Sequence, residues 1–494
     1  MKRAVVLLSV IVVTLVGFAI ANTPVFLPGT QPEKLTIRSS RICSNCHGGY
    51  ADYSPYDTWR GSMMSHAMRD PLFQAQLAIS NRDLEGVIEV GDYCLRCHSP
   101  MAWLEGRSEP VDGSIMVEKD LDEGVNCDFC HRLMDPLAEQ METEEEKAVY
   151  KYGNAMFVVD SNSAKRGQFN DTFARHDTKY SEFIGKSELC AVCHDIEHPL
   201  YNFTPIEKTY SEWKYSAFSR EGIECQDCHM PPVEGYASNR QRKFRDQLPK
   251  HEFVGGSVWM PEVLIYYYDL EPDVVEALEK TKEKAKEMLR SAAKLEARSN
   301  GTKLNVKITN LAGHKLPTGY PEGRRMWLNV KFYDVSGNLK LESGAYDPIE
   351  AHLVHDSEIK IYEAKPGTMN ISGQPNSPSF HFALNNWIYH DNRIPARGFT
   401  NAEYESAKAY IRGASYEDGQ YWDITEYRIP SGAKTAKVTL YYQSTTKEYI
   451  EFLRDENVGN SWDYFKAGEG IYEAWKKTGK SAPVEMANVT VDIS

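Results

Sequence analysis

Ten cysteines constrain this chain more than any other feature. They fall as five pairs, each Cys-x-x-Cys, and each pair is followed at once by a histidine: Cys43/Cys46/His47, Cys94/Cys97/His98, Cys127/Cys130/His131, Cys190/Cys193/His194 and Cys225/Cys228/His229. At this chain's own cysteine and histidine frequencies a random sequence would hold about 0.006 copies of that pattern. Two thiols three positions apart reach the two vinyl groups of one porphyrin as thioethers, and the next imidazole is then held beneath the iron as proximal ligand. Tetrahedral zinc needs four ligands and gives no reason for a histidine after every pair. A redox dithiol would not recur five times. The pattern therefore predicts five haem c groups, with the ten cysteines as thioether donors and His47, His98, His131, His194 and His229 as proximal iron ligands.

The chain begins Met1-Lys2-Arg3 and then runs uncharged from Ala4 to Ala21, ending Ala19-Ile20-Ala21. A basic start, an apolar run and a small-x-small tripeptide read as a signal peptide over residues 1–21. If it were left uncleaved, the same run would serve as a membrane anchor. Either way the body is expected to be exported, to the periplasm, the cell surface or beyond. Without residues 1–21 the chain keeps 54 basic against 70 acidic groups, a net of −16. That surface argues against nucleic acid and for basic redox proteins or a positively charged extracellular acceptor.

At 494 residues, more than one domain is expected. All five motifs lie before residue 230, and successive proximal histidines are 51, 33, 63 and 35 residues apart, a rhythm that reads as one leading motif followed by two similar two-motif units. Residues 22–270 are expected to be a haem-packed domain of short helices and loops. Residues 271–299 read as one long amphipathic helix linking the domains, with Pro272 near its start and Val275, Leu278, Ala285, Met288, Leu289 and Ala292 near helical spacing. After Asn300-Gly301, the runs at 304–308, 326–332, 359–362 and 438–442 alternate apolar with polar residues. They suggest an antiparallel β-sandwich over 300–494. The fold class is thus mixed.

Nine histidines remain to complete the iron coordination. His66 follows Trp59-Arg-Gly-Ser-Met-Met-Ser, His176 precedes the fourth motif, His251 stands in His-Glu-Phe-Val-Gly-Gly, and His314 lies in the turn Gly313-His-Lys-Leu-Pro-Thr-Gly319. These four are the candidate distal ligands. His198 is too near His194 to reach over the same haem and reads as a supporting residue, whereas His352, His355, His381 and His390 read as structural. Met63, Met64 and Met68 either ligate or pack on porphyrin. Four distal histidines for five irons would leave one sixth position to methionine, water or nothing.

The stretch from Cys43 to His47 with Trp59 to His66 resembles the cytochrome family that includes the tetrahaem electron acceptor of hydroxylamine oxidoreductase, which implies His66 as a haem ligand. Glu212 to Ser216, Gly222 to Pro231 and Gly313 to Gly319 resemble larger exported cytochromes of metal-reducing and anaerobic prokaryotes, which implies His251 and His314 as distal ligands. Pentahaem nitrite reductases share the haem count, but they characteristically carry lysine in one motif, and all five here end in histidine. Three functions are then in view. The foremost is an electron carrier for anaerobic or extracellular respiration. An oxidoreductase acting on a small nitrogen or sulfur compound at an open haem is the alternative, and self-assembly through the β region is the third.

Overall fold

The computed structural model describes residues 23–24, 26–111, 113–201, 204–457 and 467–493. The segment expected to be a signal peptide, residues 1–21, lies outside them. Among the described residues no helix is long and apolar enough to cross a membrane.

The first half is a set of short elements. Its longest helix before residue 250, α1 (Pro71–Asp83), starts where Asp70 accepts the Leu72 backbone N–H at 2.9 Å and Pro71 presets the first turn. Most other helices here are four to nine residues long and most strands two or three. Helix α2 (Pro272–Ser291) buries a stripe of Val274, Leu278, Thr281, Ala285 and Leu289. Its outer face carries the pairs Glu276–Lys280, Glu279–Lys282 and Glu283–Lys286.

The helix is shorter than the sequence pattern suggested. It stops at Ser291, and β1 (Ala293–Ser299) turns at Asn300-Gly301 into β2 (Lys303–Asn310), in register from Ala293 opposite Asn310 to Ser299 opposite Leu304. Gly301 sits at φ +88°, and the Asn300 carboxamide accepts the Lys303 backbone N–H at 2.8 Å. That turn closes a hairpin whose ladder replaces the last helical turns.

Antiparallel pairing then spreads over several small sheets rather than one extended sandwich. The larger sheet runs β4 (Leu339–Ser343), β3 (Arg325–Tyr333), β7 (Thr435–Gln443), β8 (Val484–Asp492), with β5 (Ile361–Tyr362) on the β4 edge of β3. A second sheet joins β1, β2 and β6 (Trp422–Arg428). Alternate residues Leu304, Val306 and Ile308 of β2, Met326 to Phe332 of β3 and Ala436 to Tyr442 of β7 meet Ala285 and Leu289 of α2 in one apolar core.

A second core joins the two ends of the chain. Helices α3 (Lys447–Glu456) and α4 (Ala467–Lys477) bring Tyr449, Ile450, Leu453, Ile471 and Trp475 against Ala75, Leu77 and Ile79 of α1 and Leu278 of α2. The Tyr449 hydroxyl donates to Gln76 at 3.1 Å, and His381 pairs with Asp83 at 2.7 Å. Packing therefore does not divide at residue 270. Leu453 is fully buried where α3 meets α1. Leu453→Ala should cost about 2–5 kcal/mol, read as a lowered denaturation midpoint, with tertiary signals from both halves lost together. Separate transitions would show that the halves fold independently.

Candidate functional site

The cysteine motifs sit on short helices. Arg41–His47, Val90–His98 and Cys225–His229 contain theirs, whereas Cys127–Cys130 and Ser187–Ala191 carry theirs into the residues just beyond. Positions i and i+3 of a helix share a face, so both thiols of a motif point the same way, with the histidine at i+4 beside the first. Caps fix where these helices begin. Asn126 accepts the Phe129 backbone N–H at 2.9 Å, and Glu224 and Asp227 cap each other's backbone. Burial pushes the Cys94 and Cys130 thiols up to about 12, which keeps them neutral.

The motifs converge. The Cys43 thiol lies beside Cys127, Cys97 beside Cys193, and Cys190 beside Cys225. Backbone bonds support this, since the Cys225 N–H donates to Ser187 Oγ at 2.9 Å and the Cys127 N–H to Ser40 Oγ at 3.2 Å. The two-motif units suggested by sequence spacing thus persist only in part. Motifs four and five touch, but motif two lies against four and motif three against one.

The ten expected thioether donors are not placed alike. All ten carry free thiols, none of them tied up in a disulfide. Cys46, the second donor expected of motif one, differs from its partner Cys43. It is half-buried near the end of the helix Arg41–His47, and among the described residues it takes no part in the thiol pairs that join motifs. Its carbonyl accepts the Asn239 N–H at 2.8 Å, so this end of the helix is held by the loop whose Ala237 carbonyl anchors His47. Cys228 of motif five is likewise outside those pairs, and it is exposed. Motifs one and five therefore each meet their neighbours through the first cysteine alone.

Every histidine expected to be a proximal ligand is anchored through Nδ1. The Nδ1–H groups of His47, His98, His131 and His229 donate to the backbone carbonyls of Ala237 (2.7 Å), Ala67 (3.1 Å), Arg166 (2.7 Å) and Val254 (2.5 Å). His194 instead donates to a carboxylate, Glu207 Oε1, at 3.1 Å. Burial works to lower the His194 pKa, but the Glu207 charge wins and lifts it to about 9. In each case Nε2 is the nitrogen left for a metal, the arrangement that orients a histidine ligand. Phe73 stacks on the His98 ring, centres 3.6 Å apart and 2° from parallel, which further fixes its rotation.

Three candidate distal histidines face proximal ones. Ring centres are 6.5 Å apart for His47 and His176, 6.0 Å for His131 and His251, and 6.3 Å for His229 and His314. Two imidazoles bonded to one metal ion at about 2 Å each put their ring centres about 6 Å apart, so these pairs fit a six-coordinate haem iron. Nδ1–H of His176 and of His314 is also bound, to the Asp177 and Lys315 carbonyls at 3.0 and 2.9 Å.

His66 differs. It is fully buried, its Nε2–H donates to the Arg60 carbonyl at 2.8 Å, its Nδ1 has no partner, and it faces no proximal ring among the described residues. Burial pulls its pKa down to about 3, so it is neutral and able to ligate. His198 uses both nitrogens on backbone groups, Nε2 with Ala383 and Nδ1 with Leu200 and Tyr201. Met68 packs in the core around α1, and Met64 lies against a core that includes Met101 and Trp103.

Two features had no sequence signal strong enough to find them. Glu207 lies on a two-strand ribbon, Ile196–Glu197 with Pro205–Glu207, that folds back beside His194. Lys315, next to His314, is wholly buried, and its ammonium donates to Asp391 at 2.7 Å, while Asp391 also pairs with Arg393 at 2.5 Å. That buried network holds the His314 turn on the sheet region.

A family model described as cytochrome c554 and c-prime matches residues 42–132, which hold the first three motifs. No curated protein matches the chain. Among solved structures, a penta-heme cytochrome c552 from Thermochromatium tepidum is similar, with a TM-score of 0.55 over 92% of this chain and 99% of that one, at 18% identity. The second likeness is one of fold. Together with the motifs, these findings support a multihaem c-type cytochrome.

Asp391 titrates far below an ordinary carboxyl, at about 2: burial opposes this, but the Arg393 and Lys315 charges prevail. Its contribution to stability is therefore present above the unfolded carboxyl value, about 4, and is lost as pH falls through about 2. Asp391→Asn should cost about 3–5 kcal/mol at pH 7 by leaving a buried ammonium short of charge, measured by denaturant unfolding. Its deficit against the parent protein should shrink in acid. A deficit unchanged from pH 7 to pH 2 would rule out the charge account.

Proposed function

We propose that this chain is an electron-transfer multihaem cytochrome c, relaying electrons through five covalently bound haems in anaerobic or extracellular respiration outside the cytoplasm. The observation that carries the reading is the convergence of five anchored imidazoles with thiol pairs that touch between motifs. Bound haem supplies one-electron chemistry at its iron. The chain's part is to fix ten thiols and five Nε2 atoms so that neighbouring porphyrins share edges. The neighbouring thiols link haem one to three, two to four, and four to five, and Cys130 acts on Cys190 and Cys193, which joins haem three to four.

In this reading Cys46 and Cys228 bind the second vinyl groups of haems one and five, on the sides away from those links. His176, His251 and His314 are distal ligands for the haems of His47, His131 and His229. The Ala67 carbonyl takes the His98 Nδ1–H, so the backbone beside His66 lies behind the His98 ring, away from the metal-facing nitrogen. His66, buried with Nδ1 unpartnered, is kept as a distal ligand for one of the two remaining haems, those of His98 and His194. His/His ligation lacks the methionine that raises potential, so these haems work at low potential. The net charge of −14 suits basic redox proteins or a positively charged acceptor.

A second reading follows from the same count. One haem, that of His98 or of His194, is left without a distal histidine, and an open position there would suit an oxidoreductase acting on a small nitrogen or sulfur compound. Strong carbon monoxide binding by one haem equivalent, with turnover of nitrite, hydroxylamine or sulfite, would favour it over a carrier.

Expression in a host competent for cytochrome c maturation should add five haem masses, and any other number would overturn the proposal. His314→Ala should leave that mass unchanged while one low-spin ferric signal is replaced by a high-spin one in electron paramagnetic resonance. An unaltered spectrum would remove His314 as a ligand.

A further inference from the structure

We infer that Glu207 sets the haem attached at Cys190 and Cys193 apart from the other four, by making His194 the strongest electron donor among the proximal ligands and so giving that haem the most negative reduction potential of the set. The inference rests on the haem reading above and concerns one iron within it.

The comparison is internal to the chain. Four proximal imidazoles donate their Nδ1–H to neutral backbone carbonyls, and one, His194, donates to a carboxylate. Both acceptors fix the same tautomer and free the same nitrogen, so positioning alone needs no charge. A full negative charge on the Nδ1–H does more. It draws the proton toward the carboxylate, enriches the ring in electron density and strengthens donation from Nε2, which stabilises ferric over ferrous iron.

Among the described residues no lysine or arginine lies within salt-bridge distance of Glu207, so its direct contact is the hydrogen bond from His194, although the Arg324 charge acts on it from farther away. Its second hydrogen bond comes from the Thr209 hydroxyl, at 3.1 Å, which in turn lies 3.0 Å from the Thr318 hydroxyl in the loop that carries His314. Contact does the work here, since the carboxylate is bonded directly to the ring N–H while the His194 side chain is 47% exposed and Glu207 half-buried. The ribbon Pro205–Glu207 against Ile196–Glu197 fixes the carboxylate, and the Tyr210 N–H donating to the His194 carbonyl at 3.0 Å closes the segment behind it.

Place gives this a consequence for traffic. Cys193 touches Cys97 and Cys190 touches Cys225, so the carboxylate-backed haem lies between the haems of His98 and His229. A step onto it is uphill from either side. Electrons crossing between those two haems meet a barrier whose height one side chain sets.

The test is a spectroelectrochemical titration of the mature protein with all its haems. In Glu207→Gln the most negative of the five one-electron transitions should move positive while the other four hold. Thr209→Val keeps the His194–Glu207 bond but removes a donor to the carboxylate, so the same transition should move negative. No movement in either variant, or a common movement of all five transitions, would overturn the inference. If Glu207→Gln fails to load haem, the sign of the Thr209→Val shift decides. A parent protein with fewer than five haem masses would instead refute the haem reading on which this rests.

Discussion

Each imidazole of the five motifs is held by one hydrogen bond at Nδ1, and those five bonds set the direction in which each ring presents its other nitrogen. A histidine has two nitrogens and a freely turning ring, so a C-x-x-C-H motif by itself fixes neither the tautomer nor the direction of the metal bond. The acceptors come from distant chain: Ala237 for His47, Ala67 for His98, Arg166 for His131, Val254 for His229. The loops between motifs are therefore what aim the ligands.

The half that carries the motifs does not supply its own scaffold. Its apolar clusters around Met101, Phe129 and Phe157, and around Leu27 and Met156, are small. The larger cores lie where α1 meets α2, α3 and α4, and where α2 meets the sheets. The sheet region also carries His314, on a turn pinned by the buried Lys315–Asp391 pair. A buried pair of this kind is a weak source of net stability but fixes geometry strongly, since breaking it strands a charge. Ligand placement is a use that fits such a device.

Much of the site was legible because covalent chemistry demands fixed spacing: five C-x-x-C-H motifs can be read without any fold. Spacing treats the two cysteines of a motif as equals, however, and the contacts do not, since Cys43 meets another motif's thiol and Cys46 does not. The settings of His176, His251 and His314 marked them as candidates, but which proximal ring each faces depends on chain crossings that no local pattern encodes. The end of α2 was misread because Leu295 and Ala297 fit a helical stripe as well as a strand, and the hairpin closed by Asn300-Gly301 decided between them. Alternation in β2, β3 and β7 revealed strands but not their division among small sheets, which depends on edges and bulges. Glu207 looked like one more acidic residue in an acidic chain. Its meaning comes from the ribbon that turns it toward His194.

The sequence rhythm and the spatial contacts carry different information. Spacing groups motif two with three and four with five, whereas thiol contacts join one to three, two to four, and four to five. A duplicated two-motif unit would keep its own internal contact in both copies, and only the second pair does. The first pair has instead been opened so that its members meet motifs on either side. Motif four thereby becomes the one whose thiols touch two others, and it is also the one whose histidine is backed by a carboxylate instead of a carbonyl. The other four motif histidines donate to backbone carbonyls, so the exception falls at a motif with more than one neighbour, where, in the proposed relay, a shift in one potential acts on electrons arriving from either side.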